Sequence, residues 1–247
     1  MAGGGSGVGR ACERGYEERT KDAHDPMAVL RGIRAATMAE LATCRILAEA
    51  LAGRSRSEDY IAYLTSVFHY ARFSPVIMAA AAARSSQSHP ELSVYLLKHA
   101  AEEQGHDSWA LEDLAKLGVP AEDVRRARPV PACSALVGYV HDLATTKNPI
   151  ATFGWMYILE AVGADIGVVA GEKLGAAHRG ADAPVQFVAG HGEADTDHTI
   201  EITAQIETHV GNADDCEDVC ETARVVSWLY TTMFRQIGGE TAQWQSP

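Results

Sequence analysis

The chain has 247 residues, a mass of 26.4 kDa and 47% hydrophobic residues, enough to bury a core within one domain. Its formal net charge of −12 and pI near 5.2 argue against nucleic acid and anionic lipid as partners, because an acidic surface repels both. The longest apolar run, Val76–Ala83, is far shorter than the roughly 20 residues of a membrane span, so no membrane partner is expected.

The opening MAGGGSGVGR shows no hydrophobic period. Residues 1–24 are expected to be disordered and carry no apolar core for a signal peptide. Asp25-Pro26 supplies an N-cap and a first-turn proline, which predicts a helix over Met27–Leu51 ending at Gly53. A second helix is predicted from about Ser57 to Arg84, kinked or broken at Pro75. A third starts near His89-Pro90 and ends at Gly118. Arg125–Pro131, with two prolines, reads as a linker. Helices follow over Ala132–Thr146, Pro149–Ala177, Pro184–Val210 and Asp214–Ile237, and residues 239–247 read as a loose tail. No alternating run is long enough for a sheet. The expectation is an all-α, single-domain bundle of seven helices over residues 25–238, with long helices able to carry a central site.

The five cysteines, Cys12, Cys44, Cys133, Cys216 and Cys220, are odd in number and mostly isolated. Reduced thiols in a cytoplasmic protein fit this pattern.

Three predicted helices place metal-binding side chains on their inward faces. In LKHAAEEQGHDSWALEDL, the residues Leu96, His99, Glu103, His106, Ala110 and Leu114 share one stripe, apolar at both ends and polar in the middle. Glu102 sits on a neighbouring face with Lys98 and Glu112, so Glu103 is preferred to Glu102 as a ligand. His99, one turn above Glu103, reads as an outer partner or a spare ligand. In FGWMYILEAVGADIGVVAGEK, Glu160 is the sole carboxylate in an apolar stretch, a costly placement unless it is paired or metal-bound. Gly163, Gly167 and Gly171 continue at four-residue steps and leave room for a close helix neighbour or for substrate. In HGEADTDHTIEI, His191, Asp195 and His198 share one face, which Ile202 and Ile206 continue as core; Glu193, Asp197 and Glu201 form a separate acidic face.

The inward set is therefore Glu103, His106, Glu160, His191, Asp195 and His198, three carboxylates and three imidazoles. Oxygen and nitrogen donors without thiolate suit iron or manganese and, less specifically, zinc. Any one buried histidine is more often a hydrogen-bonded core residue than a ligand, and Glu103 with His106 alone is an ordinary intrahelical pair. Three ionisable groups on one stripe, faced by others, need a shared partner.

The His-x3-Asp-x2-His motif at His191, Asp195 and His198 resembles the last core helix of the haem-oxygenase-like diiron oxidases. The EEQGH segment with Glu103 and His106 resembles their first ligand-bearing helix, and Glu160 stands where that family has its mid-chain carboxylate. The resemblance covers roughly residues 60–235. It implies a seven-helix haem-oxygenase-like fold without haem, two ferrous ions as cofactors and dioxygen as co-substrate. It further implies oxidation of a small amino-acid-derived or carboxylate substrate by N-oxygenation, C–C cleavage or oxidative decarboxylation, often in natural-product biosynthesis. In some relatives the first-helix Glu and His are spaced differently, which leaves His99, Glu102 and Glu103 as alternatives.

Under this reading Glu103, His106 and His191 hold one iron and Glu160, Asp195 and His198 the other. Tyr63, His69, Tyr70 and Phe73 from the second helix, with Phe153 and Tyr157, are candidates for the substrate pocket; Phe68 and Trp155 lie among them. Arg72 is a candidate for a substrate carboxylate, the alternative being a surface arginine. The rivals are a metal-independent thiaminase-like or PQQ-synthase-like enzyme, for which Cys133 is the nearest nucleophile, and a non-catalytic metal-binding protein. A homodimer is a further expectation.

Overall fold

The computed structural model describes residues 25–178 and 182–240; the expected disorder of residues 1–24 and most of the expected tail fall outside the described residues. Among them every regular element is helical. The order is α1 Pro26–Thr43, α2 Arg45–Leu51, α3 Ser57–Ala71, α4 Ser74–Ser85, α5 Pro90–Glu102, α6 His106–Lys116, α7 Ala121–Arg126, α8 Pro131–Thr146, a 3-10 turn Pro149–Ala151, α9 Thr152–Ala177, α10 Gln186–His209 and α11 Ala213–Ile237.

All seven expected helical stretches are present, but the count of seven needs correction. Three stretches divide, and α7 forms between the expected third helix and the expected linker, overlapping the linker only at Arg125 and Arg126. Cys44, in an extended conformation, separates α1 from α2. Pro75 lacks an amide hydrogen and tolerates only a first turn, so α4 restarts at Ser74 after the break at Arg72-Phe73. Gly105 separates α5 from α6. Prolines also occupy the first turns of α1, α5 and α8, where a missing N–H costs nothing. The Asp25 side chain caps α1 by accepting from the Met27 amide at 2.9 Å.

The central helix α9 is buried from Thr152 to Ile158 and again at Ala161 and Val162. By length and composition, Pro149–Ala177 could cross a membrane, yet 61% of its most apolar stretch is buried within the protein, where it packs against α10, α11 and α1. The glycine stripe has a structural reason. Gly167 meets Gly192 of α10 backbone to backbone, and a Cβ on Gly167 would lie 2.6 Å from the Gly192 Cα. A Cβ on Gly171 would lie 3.1 Å from the Ala189 Cβ. Small residues thus bring α9 and α10 together, and these two helices carry four of the six expected ligands. α5 and α6 complete the ring around the site.

Candidate metal centre

The first donors come from the α5–α6 junction. The backbone of Gly105 has φ of 98°, a left-handed conformation that side chains with a Cβ disfavour. It ends α5 at Glu102, makes Glu103 the capping residue and starts α6 at His106. Glu103 and His106 therefore do not share one continuous helix, as their spacing suggested. They still meet, with His106 Nδ1 3.2 Å from Glu103 Oε2. Leu96, His99, Glu103, Ala110 and Leu114 are all buried.

Glu160 descends from α9, and His191, Asp195 and His198 from α10. His198 Nδ1 lies 3.2 Å from Glu160 Oε2 and 3.7 Å from Glu103 Oε1. His99 Nε2 lies 3.4 Å from Glu160 Oε1, and His191 Nε2 lies 3.8 Å from Glu103 Oε2. Two donor groups result. His99, Glu103, Glu160 and His198 form one; Glu103, His106 and His191 form the other; within each, the donor atoms lie within 4.8 Å of one another. Glu103 belongs to both.

These residues fit metal ions. The donors are oxygen and imidazole nitrogen, the set that suits iron or manganese. Glu103 Oε1 and Asp195 Oδ1 are buried with no hydrogen-bond partner, which is expensive unless another group meets them. His191 Nδ1 lies 3.2 Å from the Phe187 carbonyl, its partner within the helix. Donation there fixes the tautomer and leaves Nε2 free to ligate.

Asp195 stands apart from the expected partition. It is 4% exposed and turns towards Gly163, whose missing side chain makes room for its carboxyl, and it joins neither donor group. His99 occupies the corresponding place instead. Burial, then the charges of Glu160 and Glu103, push the Asp195 carboxyl up to about 11, so it carries a proton at neutral pH. Burial also opposes ionisation of Glu103 and Glu160, but their histidine neighbours outweigh it and hold both carboxyls below the usual range. For His198, burial favours the neutral ring, yet the carboxylates of Glu160, Glu103 and Glu102 raise its pKa.

Residues 61–231 match the model of a family described as iron-containing redox enzymes. The chain belongs to that family. Three solved structures share the fold of this iron-containing redox enzyme. A domain of unknown function with a heme oxygenase-like fold from Shewanella denitrificans OS217 is 22% identical, with a TM-score of 0.79, covering 87% of this chain and 93% of that one. A TenA homologue from Pseudomonas syringae pv. tomato DC3000 is 14% identical, with a TM-score of 0.75 and the same coverage. A TenA homologue from P. horikoshii OT3 is also 14% identical, with a TM-score of 0.68, covering 87% of this chain and 99% of that one. At these identities the likeness shows a heme oxygenase-like fold. No curated protein matches the chain.

In this iron-containing redox enzyme the donor cluster opens onto a cavity of about 120 Å³, lined by Glu103, Glu160, His191 and Asp195 at one end. That space is close to the ~150 Å³ of engineered cavities that admit benzene. Of the expected pocket residues, Tyr63 and Tyr70 line it, as does Trp155 from α9. Four do not. The His69 Nε2 faces the Val124 carbonyl at 3.1 Å and ties α3 to α7. Phe73 lies under the Arg72 guanidinium, 4.7 Å from its ring centre. Phe153 is wholly buried between Tyr95 and His209, and Tyr157 is buried beside Arg34. Arg72 itself is exposed, on the surface. Glu102 has a side chain 39% exposed, 3.5 Å from Lys98 and 4.0 Å from His198 Nε2. The Cys133 thiol is buried, donates to the Ser66 carbonyl and is pushed up to about 12 by burial, far from an activated nucleophile.

Sequence reasoning missed Trp109, Phe187 and Tyr230. Trp109 stacks on His106 with ring centres 4.1 Å apart and meets His191 at 5.5 Å, while Phe187 stacks on His191 at 4.1 Å. The signal was present, since Trp109 follows His106 by three residues and Phe187 precedes His191 by four.

Proposed function

We propose that this chain is a non-haem diiron enzyme that activates dioxygen to oxidise a small amino-acid-derived or carboxylate substrate in a biosynthetic pathway. The reaction class is N-oxygenation, C–C cleavage or oxidative decarboxylation. The observation that carries the reading is the pair of buried donor groups joined through one shared carboxylate, Glu103.

Glu103, His106 and His191 would hold one iron. Glu103, Glu160, His198 and His99 would hold the other, with Asp195 as the further carboxylate in reserve. Two ferrous ions there would supply the electrons and open positions that dioxygen requires, which amino-acid side chains do not. The chain's own groups do the rest. Phe187 and Trp109 hold the two histidine rings in place. The Asp195 carboxyl keeps a proton beside Glu160, and bound cations would favour its ionised form. The apolar cavity walls, such as Leu159, Val162 and Ile166, exclude water from the reacting face.

Anaerobic Fe(II) titration followed by exposure to dioxygen tests the proposal. Two irons per chain and dioxygen uptake that quickens with a suitable substrate are expected. Full loading with no dioxygen uptake across small carboxylates and amino acids would leave a metal-binding protein without turnover.

A further inference from the structure

Three tyrosines line the cavity: Tyr63 and Tyr70 from α3 and Tyr230 from α11. Tyr230 packs directly against Tyr70 and is linked to Tyr63 through Phe234. The rings of Tyr70 and Tyr230 stand edge to face at 6.4 Å, and Phe234 braces both Tyr230 and Tyr63 at 5.2 Å and 5.5 Å. Each hydroxyl carries one hydrogen. No hydrogen bond among the described residues takes up these hydrogens, so they remain for whatever enters the cavity.

The acidic lining also bears on the ligand. It comprises Asp59, Glu103, Glu160 and Asp195, with no lysine or arginine among the lining residues. Asp59, at the outer end, is already engaged by Arg45 through bonds of 2.8 Å and 3.0 Å. A second anionic group on a ligand would find no cation here, and burying it unpaired is expensive. An ammonium group would find no free acid outside the donor cluster. Most of the remaining wall is apolar, interrupted by the Ser55 and Ser74 hydroxyls.

We infer that Tyr230 is a specificity residue: its hydroxyl hydrogen-bonds one neutral oxygen- or nitrogen-bearing group of a substrate whose body is otherwise apolar and uncharged. Whatever group meets the donor cluster is the substrate's sole charge. The inference rests on the proposed function and narrows its substrates away from zwitterionic amino acids.

The test is direct binding to the full-length protein by 19F NMR, without added metal, so that a failure of iron chemistry does not affect it. The probes are 4-fluorophenol, fluorobenzene and 4-fluorophenylalanine. The first should bind more tightly than the second, and the third should not bind. Tyr230→Phe should weaken 4-fluorophenol roughly fivefold to tenfold, the worth of one hydrogen bond, and leave fluorobenzene unchanged. Tyr63→Phe and Tyr70→Phe should each have a smaller effect, and they replace the first variant if it does not fold. Equal losses for 4-fluorophenol and fluorobenzene would reduce Tyr230 to a packing residue. No binding of 4-fluorophenol, or equal binding of 4-fluorophenylalanine, would overturn the inference.

Discussion

Gly167 and Gly192 touch through their backbones at a close approach of the two helices that carry Glu160, His191, Asp195 and His198. A methyl group at Gly167 would lie 2.6 Å from the Gly192 Cα and 3.0 Å from the Val188 carbonyl oxygen, both immovable backbone atoms. Gly167→Ala should therefore push α9 from α10. A loss of about 1–3 kcal/mol is expected from overpacking, together with weakened iron uptake. Thermal melts with iron titration check this; a variant as stable and as well loaded as the parent would show that the helices can slide apart freely.

Asp195 gives a prediction of opposite sign. Its folded-state carboxyl stays protonated up to about 11, whereas the unfolded chain loses that proton in the ordinary carboxyl range. The folded state then binds more protons, so stability falls as pH rises between those limits. Asp195→Asn removes this handicap. The metal-free variant should melt higher at neutral pH by at least ~1 kcal/mol, about 2–4 °C at this chain length, while losing iron affinity. A lower melting point in metal-free form would show Asp195 ionised and already compensated.

The pH profile of the metal-free protein follows from the other shifts. Glu103 and Glu160 have lowered pKa values, so their contribution is present above the ordinary value of 4.5 and is lost as pH falls through the folded values. His198 has a raised pKa, so its contribution is present below the ordinary value of 6.5 and is lost as pH rises through the folded value. In the Asp195→Asn variant, which removes the opposing slope just described, stability should peak between those ordinary values, in mildly acidic solution. Denaturant midpoints measured across pH read this directly, and a maximum on the alkaline side would contradict the ion-pairing of Glu160 with His198.

Trp109 should matter to the metal rather than to the fold. Its indole lies against His106 and His191, in space that Gly190 leaves by lacking a side chain. Trp109→Leu should weaken iron binding roughly 10–100-fold, the usual scale for groups that orient ligands. It should also remove the largest part of any tryptophan quenching on metal addition. Unchanged affinity would make the stacking incidental.

Much of this was legible in the residues themselves. The stripe from Leu96 to Leu114 and the triple on α10 are periodic signals, and burying several ionisable groups together is chemically conspicuous. Two things were not legible. Breaks at Cys44 and Gly105 depend on backbone conformations that spacing does not record, so α5 and α6 looked continuous. The positions of His99 and Asp195 depend on which way each side chain turns once α9 and α10 close on their glycines. The aromatics of α3 illustrate the same limit: Tyr63 and Tyr70 face the cavity, while His69 and Phe73, between and beside them, turn to α7 and Arg72.

The central claim is that one carboxylate serves two metal pockets. Iron per chain in Glu103→Ala, measured after saturation with Fe(II) under argon and with helical circular dichroism intact, tests it most directly. Removing Glu103 should impair both pockets and leave fewer than one iron per chain, whereas His106→Ala should leave about one. A Glu103→Ala protein that still retains two irons would contradict a shared carboxylate.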